Sequence, residues 1–262
     1  MPYLKIMQLG FKRAFVYRGK VVLLLLSSIA SIFILQKFWL ALYGDSYSQY
    51  IYMANYAMVS QILRIVYRIN APGTLSGRIR TGAISVELLR PWEYMNSLLF
   101  EDLGTIIANL ASSGFVLFIM ARLLFDMRIP PMESIVLFLL SAFFGFLLLF
   151  LVKSMVAMTC FWFTEAFYLL VLIDVVIDLL SGQFLPTWLV PEWLEKIMNA
   201  LPFVWIYQKP ISIYLNESCE KTVFLKEYGG LFFQQIVWVI FFYLMMQMVW
   251  HIAVRKLNVQ GG

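Results

Sequence analysis

The feature that most restricts this chain is a series of apolar runs long enough to cross a membrane. The first run opens with "VVLLLLSSIASIFIL" at Val21, and crossing a hydrocarbon core takes about 20 apolar residues. Apolar residues make up 62% of the chain and charged residues 13%, whereas a soluble domain is about half apolar and roughly a quarter charged. The runs are continuous rather than alternating, which argues against a β-barrel. We therefore predict an all-α membrane protein that crosses the bilayer several times.

Six transmembrane helices are predicted, at about residues 21–43, 50–69, 103–124, 132–152, 158–181 and 230–252. Most lysines and arginines outside the long loops fall on the side that holds both ends of the chain, which predicts cytoplasmic N- and C-termini. Residues 1–262 are expected to form a single transmembrane domain. Within it we expect an interfacial amphipathic helix at 1–20, a cytoplasmic segment at 70–100 and an extracellular hairpin and loop at 182–228.

Several classes of function are not indicated by the sequence. The net charge of +5 does not predict nucleic-acid binding, because the basic residues flank apolar spans. The chain has no G-x-x-x-x-G-K-S/T loop, so we do not expect it to bind ATP in the usual manner. No catalytic Ser/His/Asp or Cys/His set and no metal-ligand cluster can be assembled with confidence from the sequence. We therefore predict no catalytic residue, no metal site and no cofactor in this chain.

The segment between the second and third predicted spans is unusually polar for a membrane chain. It reads "AISVELLRPWEYMNSLLFEDLG" from Ala83 to Gly104. Both "ISVELL" and "MNSLLFEDL" show apolar residues at helical spacing, and Pro91 disfavours helix at Arg90. The pattern predicts two short amphipathic helices on the cytoplasmic face. They form either an interfacial elbow or a docking surface for a cytoplasmic motor, and composition does not choose between the two.

The segment after the fifth predicted span is rich in proline and tryptophan. Its prolines permit only short helical pieces, and its tryptophans are rings of the kind found at membrane interfaces. These residues are Pro186, Pro191, Pro202, Trp188, Trp193 and Trp205. The segment is either a re-entrant hairpin that closes a pathway or a surface loop held by its aromatic rings.

Two acidic residues lie within the fifth predicted span. Asp174 and Asp178 are four residues apart and share one helix face. Because acids at membrane depth are costly, each needs a partner, a proton or a water-filled cavity. They attract a cationic or amphipathic substrate, or they pair with a cation of a neighbouring span such as Arg122 or Lys37. Asp178 lies near the outer end of the span and has the further option of reaching water.

The second predicted span carries the polar residues Gln61, Arg64 and Arg68 on one helix face. We expect the two arginines to extend to the cytoplasmic end of the span, since long side chains reach the interface in this way. Gln61 lies one turn deeper and is the better candidate for a residue of a transport pathway.

Three stretches of the chain resemble a known family. They are "GTLSGRIRTGAISVELLRPWEYMNSLLFEDLG" at 73–104, "LLSGQFLPTWLVPEWLEKIMNALPF" at 179–203, and the basic N-terminal helix that leads into the first span. Together they resemble the ABC-2 family, the permeases of type-2 ABC exporters. More narrowly, they are similar to the branch of viologen- and drug-exporter-like permeases in which two different permeases accompany one ATPase.

The resemblance implies a permease subunit that is not itself an enzyme. Such a subunit forms half of the translocation pathway of an ATP-driven exporter for a drug, a peptide or another amphipathic molecule. The segment between the second and third spans would carry a coupling helix that fits a groove of a cytoplasmic ABC ATPase dimer, where ATP and Mg²⁺ bind. Carried onto this sequence, the coupling residues are Ile84, Glu87, Leu88, Arg90, Pro91, Trp92 and Glu93.

The resemblance also implies a re-entrant helical hairpin from Gly182 to Pro202 that acts as a lid. The resulting pathway and lid candidates are Gln61, Asp174, Asp178, Gly182, Phe184, Pro186, Trp188, Pro191 and Trp193. A second six-span permease, a different chain rather than an identical one, is the expected membrane partner. The expected location is the cell membrane of a bacterium.

Two other functions stay open on the sequence alone. A membrane-embedded enzyme that modifies lipids would use Asp174 and Asp178 as acid and base. A membrane scaffold protein would have no pathway and no dependence on a nucleotide-binding partner.

Overall fold

The computed structural model describes residues 2–15, 18–163, 167–216 and 221–256. Within these ranges the chain is helical and contains no strand, so the prediction of an all-α fold is confirmed. Twelve α-helices are described, in the order α1 Pro2–Ala14, α2 Arg18–Tyr43, α3 Tyr47–Val66, α4 Ala71–Arg80, α5 Ile84–Leu88, α6 Tyr94–Asn109, α7 Phe115–Phe125, α8 Met132–Met158, α9 Phe167–Leu180, α10 Glu192–Ala200, α11 Gln208–Leu215 and α12 Lys221–Val254. A π-helical turn at Leu110–Gly114 joins α6 to α7.

Four of the described helical stretches are long and apolar enough to cross a membrane. They are Val21–Tyr43, Tyr94–Phe125, Met132–Phe161 and Tyr228–Val254. The second and fifth predicted spans correspond to α3 and α9, which fall short for different reasons. Helix α3 has 20 residues but a more polar sequence, and the 14 residues of α9 extend over about 21 Å.

The start of the third span differs from the prediction. Its helix begins at Tyr94 rather than near residue 103, and it continues to Phe125. The stretch "MNSLLFEDL" therefore forms the first turns of this span, and it is not a separate amphipathic helix. The reason is that Pro91 and Trp92 end the preceding segment, and no proline occurs between Glu93 and the π-helical turn.

The fourth span is also longer than predicted. Its helix continues from Met132 to Met158, with a 3-10 turn at Thr159–Phe161, so Lys153 lies within the helix rather than at its end. This extension brings a lysine into the interior of the helical bundle, where its side chain is 16% exposed.

Helix α3 lies in the centre of the molecule and is buried along most of its length. It packs against α2, α11 and the π-helical turn, while α8 packs against α4, α9, α11 and α12. By contrast, only 11% of the apolar stretches of α2 and α12 is buried. These two outer helices therefore present apolar surface to lipid or to another membrane chain.

Helix α1 packs closely against α6 through two glycines. A Cβ atom at Gly10 would collide with the carbonyl oxygen of Glu101, and one at Gly104 would collide with the carbonyl oxygen of Met7. Arg13 forms an ion pair with Glu101 at the same crossing. The amphipathic helix expected at 1–20 is thus fixed to the start of the third span by close contact between the two backbones.

Helix α4 was not predicted, since residues 70–100 were expected only to form a cytoplasmic segment with two short helices further along. Its start is held by Asp102 of α6, a fully buried residue. The Asp102 carboxylate accepts hydrogen bonds from the backbone N–H groups of Asn70 (2.9 Å) and Ala71 (3.1 Å). Unpaired N–H groups at a helix start favour such a carboxylate, and this long-range contact stabilises a helix that local sequence does not indicate.

Candidate functional site

Two regions of the structure are candidate sites, and the first is the connection between α4 and α6 (residues 81–93). This α4–α6 connection contains the short helix α5. Ile84 on one face of α5 is fully buried, whereas Val86 is 63% exposed and the next residue beyond the helix, Leu89, is 85% exposed. The connection is therefore anchored on one side and presents two apolar side chains on the other.

A small network of charges stiffens the α4–α6 connection. The Glu87 carboxylate lies 3.1 Å from Arg90 Nε and 3.7 Å from an Arg78 nitrogen. Arg78 also donates a hydrogen bond to the Tyr94 hydroxyl at 3.2 Å. Burial lowers the pKa of Arg78, but the hydrogen bond to Tyr94 and the nearby acids outweigh it and hold that pKa above its ordinary value. Arg78 therefore stays charged, and it joins α4 to α5 and α6.

Glu93 at the end of this connection, and the adjoining Tyr94 of α6, contact the first and the last described helices. The backbone N–H of Glu93 donates to the Tyr3 hydroxyl of α1 at 3.2 Å. The Tyr94 ring stacks on Trp250 of α12, with 5.8 Å between the ring centroids. A displacement of the connection would consequently be transmitted to α1, to α12 and to the third span.

The structure separates the predicted coupling residues into buried and accessible groups. Arg90, Pro91 and Glu93 are exposed, and the half-buried Trp92 ring lies 5.5 Å from the Arg90 guanidinium. Leu88 and Glu87 are half-buried. The fully buried Ile84 holds the connection in place and presents no surface to a partner.

Sequence reasoning missed Val86 and Leu89, the two exposed large apolar side chains of the α4–α6 connection. The available signal was that "ISVELL" has more apolar residues than one helix face can bury. Ile84 and Leu88 share one face at a spacing of four, so Val86 and Leu89 must face elsewhere.

The second candidate site is a cavity of about 620 Å³ between α2, α3, α8 and α9, which we name the polar cleft. Serine hydroxyls of α2 line one wall, and Gln61 of α3 lines another. Its charged lining consists of Arg64, Arg68, Lys153, Asp174 and Asp178. The structure thus brings together the polar residues that were predicted separately on the second and fifth spans.

The two acids of the polar cleft are each paired with a cation. Asp174 lies 2.8 Å from the Lys153 ammonium, and Asp178 lies 3.8 Å from the Arg64 guanidinium. The expectation that Arg122 or Lys37 would be a partner is wrong for both. Arg122 pairs instead with Asp126 one turn further along the chain, and Lys37 lies over the Phe33 ring of its own helix.

The turn that follows α9 (residues 181–184) lies next to the polar cleft and contacts α3, and we name this turn the roof. Tyr56 donates a hydrogen bond to the carbonyl oxygen of Gly182 (2.6 Å), and Ser60 donates one to that of Gln183 (2.7 Å). Gly182 has a φ of +78°, a conformation that glycine adopts without strain. Helix α9 therefore ends against the middle of α3.

Arg64 connects the cleft to this roof. In the amide orientation that satisfies its neighbours, Gln183 donates to Asp178 at 2.6 Å and accepts from Arg64 Nε at 3.2 Å. The Arg64 guanidinium also lies over the Phe184 ring, 5.5 Å from its centroid. A substitution of Arg64 would therefore remove its contacts with Gln183 and Phe184 in the roof.

Beyond the roof, the hairpin is held by buried polar contacts. The Gln208 amide of α11 accepts from the Thr187 backbone N–H (3.1 Å) and donates to the Thr187 hydroxyl (2.7 Å). Pro186 is buried, and Pro191 at the start of α10 is exposed. Among the tryptophans expected at an interface, Trp188 and Trp193 are exposed, but Trp205 is 4% exposed. The expectation is wrong for Trp205, which lies in the core.

Gln61 stands out among the residues that line the polar cleft. Its side chain is 1% exposed, and within the described ranges its amide makes no hydrogen bond. Buried amides nearly always have partners, so this wall of the cleft offers donors and acceptors that the protein leaves unused.

The comparisons with known proteins identify one family. The family model described as "ABC-2 family transporter protein" matches residues 21–261 of the chain. No curated protein and no solved structure matches the chain significantly.

Proposed function

Because the chain belongs to the ABC-2 family of transporter proteins, we propose that it is the permease subunit of an ATP-driven exporter and works with a separate cytoplasmic ATPase. The observation that carries this proposal is the pair of exposed apolar side chains on the α4–α6 connection. Leu89 is 85% exposed and Val86 is 63% exposed on a segment that is otherwise firmly anchored.

The surroundings of these side chains suit a protein interface. Interfaces have an apolar centre with a polar rim, and here Arg90 and Glu93 lie exposed next to Leu89. The connection and the adjoining Tyr94 contact α1, α4 and α12, so a force applied at Leu89 would be transmitted to the membrane helices. This rigidity supports a coupling element over a passive elbow.

In this proposal α3 and α9 complete six membrane spans with both ends of the chain in the cytoplasm. The distribution of lysine and arginine supports this orientation. The α4–α6 connection then faces the ATPase dimer, which binds ATP and Mg²⁺. The hairpin from Gly182 to Pro202 lies on the opposite side of the membrane and acts as a lid above the polar cleft.

A second six-span permease would supply the other half of the pathway. Only 11% of the apolar stretch of α2 is buried, and the apolar surface that it exposes supports such a partner. That the partner is a different chain rests on the resemblance to the two-permease branch.

The lipid-enzyme hypothesis is less well supported by the polar cleft. Asp174 and Asp178 each contact a cation, whereas acid–base catalysis needs carboxylates that are free to exchange protons. Within the described residues, no group of three His, Cys, Asp or Glu side chains could hold a metal ion.

The proposal is tested by co-purification of the full-length chain with the products of the neighbouring genes, among which we expect an ABC ATPase. Leu89→Asp places a charge in the centre of the proposed interface, so we expect at least tenfold weaker retention of the ATPase. The matched control is Thr81→Asp, which adds the same charge at another exposed position of the connection. Equal retention by Leu89→Asp, Thr81→Asp and the unmodified chain would contradict the proposal.

A further inference from the structure

The polar cleft contains an amide that lacks a partner in the protein. Gln61 is buried, it lines the cleft, and within the described residues no group hydrogen-bonds to its side chain. A primary amide has two N–H donors and an oxygen that accepts two hydrogen bonds. Because Gln61 lines the cleft without a partner from the described residues, its amide is available to a polar ligand there.

The charges of the cleft indicate the sign of that ligand. Three cations and two carboxylates line it, and the carboxylates are occupied by Lys153 and Arg64. Arg68 remains: within the described part of the chain its guanidinium makes neither an ion pair nor a hydrogen bond. The cleft therefore carries one uncompensated positive charge, and a cationic ligand would first have to displace an existing partner.

The rims of the cleft indicate what else the ligand contains. Both α2 and α9 contribute lining residues, and beside these they expose apolar side chains such as Leu23, Leu26, Leu172 and Val175. A molecule with a polar head in the cleft would thus have its remaining part against apolar surface. An apolar tail suits that position.

We propose that the polar cleft binds the anionic oxygen head group of an amphiphile, with Arg68 and Gln61 as its ligands. This assignment rests on the proposed exporter function, because it names the class of molecule that the pathway carries. The planar guanidinium of Arg68 matches the two oxygens of a phosphate or carboxylate. The Gln61 amide donates to a further oxygen of the same group, and the tail leaves the cleft between α2 and α9.

The test measures binding to the full-length chain in dodecyl maltoside micelles by thermophoresis. The probe is dodecyl phosphate, compared with the zwitterionic dodecylphosphocholine, the cationic dodecyltrimethylammonium and tail-free inorganic phosphate. We expect dodecyl phosphate to bind at least tenfold more tightly than the other three. Equal affinities for the anionic and cationic probes would overturn the proposal. If inorganic phosphate bound as tightly as dodecyl phosphate, the ligand would be a soluble anion and the amphiphile would be ruled out.

Variants identify the residues responsible. Arg68→Gln should weaken dodecyl phosphate binding about tenfold, in line with the loss of a hydrogen bond between charged groups. Arg68→Lys keeps the charge and should restore part of the affinity. The matched control is Arg122→Gln, which removes a positive charge on α7 that does not line the cleft. Unchanged affinity in Arg68→Gln would overturn the proposal.

Gln61→Met separates a ligand role from a structural one. It replaces the unpartnered amide with an apolar side chain of similar shape, so the midpoint of thermal unfolding should stay level or rise while binding weakens severalfold. A lower unfolding midpoint with unchanged binding would assign Gln61 to structure alone and contradict the proposal.

The binding test is independent of the ATPase. A chain that retains the ATPase through Leu89 but does not prefer dodecyl phosphate keeps the exporter function and loses this inference. A chain that prefers dodecyl phosphate but never retains an ATPase keeps the binding site and loses the exporter function.

Discussion

The α4–α6 connection and the polar cleft depart from the usual distribution of residues in opposite directions. The connection, outside the apolar helices, exposes Val86 and Leu89. The cleft, among the helices, holds five charged side chains and a buried amide without a partner. Exposed apolar residues indicate a protein partner, and polar residues at membrane depth indicate a ligand or ion path. Exposed apolar residues therefore indicate a contact surface on the outside of the molecule, and polar residues among the helices indicate a binding site inside it.

The largest effect is expected at α5 and the residue that follows it, because Ile84 and Leu89 have opposite environments. Ile84→Ala removes a fully buried side chain, so we expect the free energy of unfolding to fall by about 2–5 kcal/mol. Leu89→Ala should change it by less than about 0.5 kcal/mol, because the residue is 85% exposed. Thermal or denaturant unfolding of the purified chain measures both. Similar losses in the two variants would show that the exposed residue is structural.

The anchoring of the connection is tested at the crossing of α1 and α6. Gly104→Ala places a Cβ atom against the Met7 carbonyl oxygen, and we expect a destabilisation of about 1–3 kcal/mol. Gly77→Ala in α4 is the control, since a Cβ atom there meets no neighbour within 4 Å. ATPase retention should fall with Gly104→Ala and not with Gly77→Ala. Unfolding midpoints that are equal in the two variants would contradict the close crossing.

The smallest effects are expected from the ion pairs of the polar cleft. Double-mutant cycles with Lys153→Met and Asp174→Asn, and with Arg64→Met and Asp178→Asn, measure each coupling energy. We expect the Lys153–Asp174 pair to have the larger value, because it is 2.8 Å apart and its lysine is only 16% exposed. The Arg64–Asp178 pair is 3.8 Å apart and its arginine is 45% exposed, so its coupling should stay below about 1 kcal/mol. A larger coupling energy for the Arg64–Asp178 pair would contradict this order and show that Asp178 is bound more strongly by its cation than Asp174.

Part of the candidate sites was predictable, because some signals are local. Asp174 and Asp178 were placed on one helix face by their spacing, and Gln61 was identified as the deeper polar residue of α3. The cations that pair with the acids were not predictable. Lys153 and Arg64 reach them only because α8 continues past residue 153 and α9 ends against α3.

Helix α4 and the exposed pair on the α4–α6 connection show the same limit. The local sequence does not indicate α4. The helix depends on hydrogen bonds that Asp102 accepts from backbone N–H groups more than thirty residues earlier in the chain. The pattern in "ISVELL" indicates helix but does not reveal which apolar face is covered. That choice depends on the neighbouring helices.

Sequence alone was enough to predict an all-α membrane protein of the ABC-2 family with polar residues on its second and fifth predicted spans. Hydrophobicity and helical period are properties of short stretches, so they can be evaluated from one segment of the sequence at a time. Only the tertiary structure decided which charges pair, that Gln61 lacks a partner and that Leu89 faces outward. Those outcomes depend on how separate helices are rotated and shifted against one another, which is set by packing across the whole bundle.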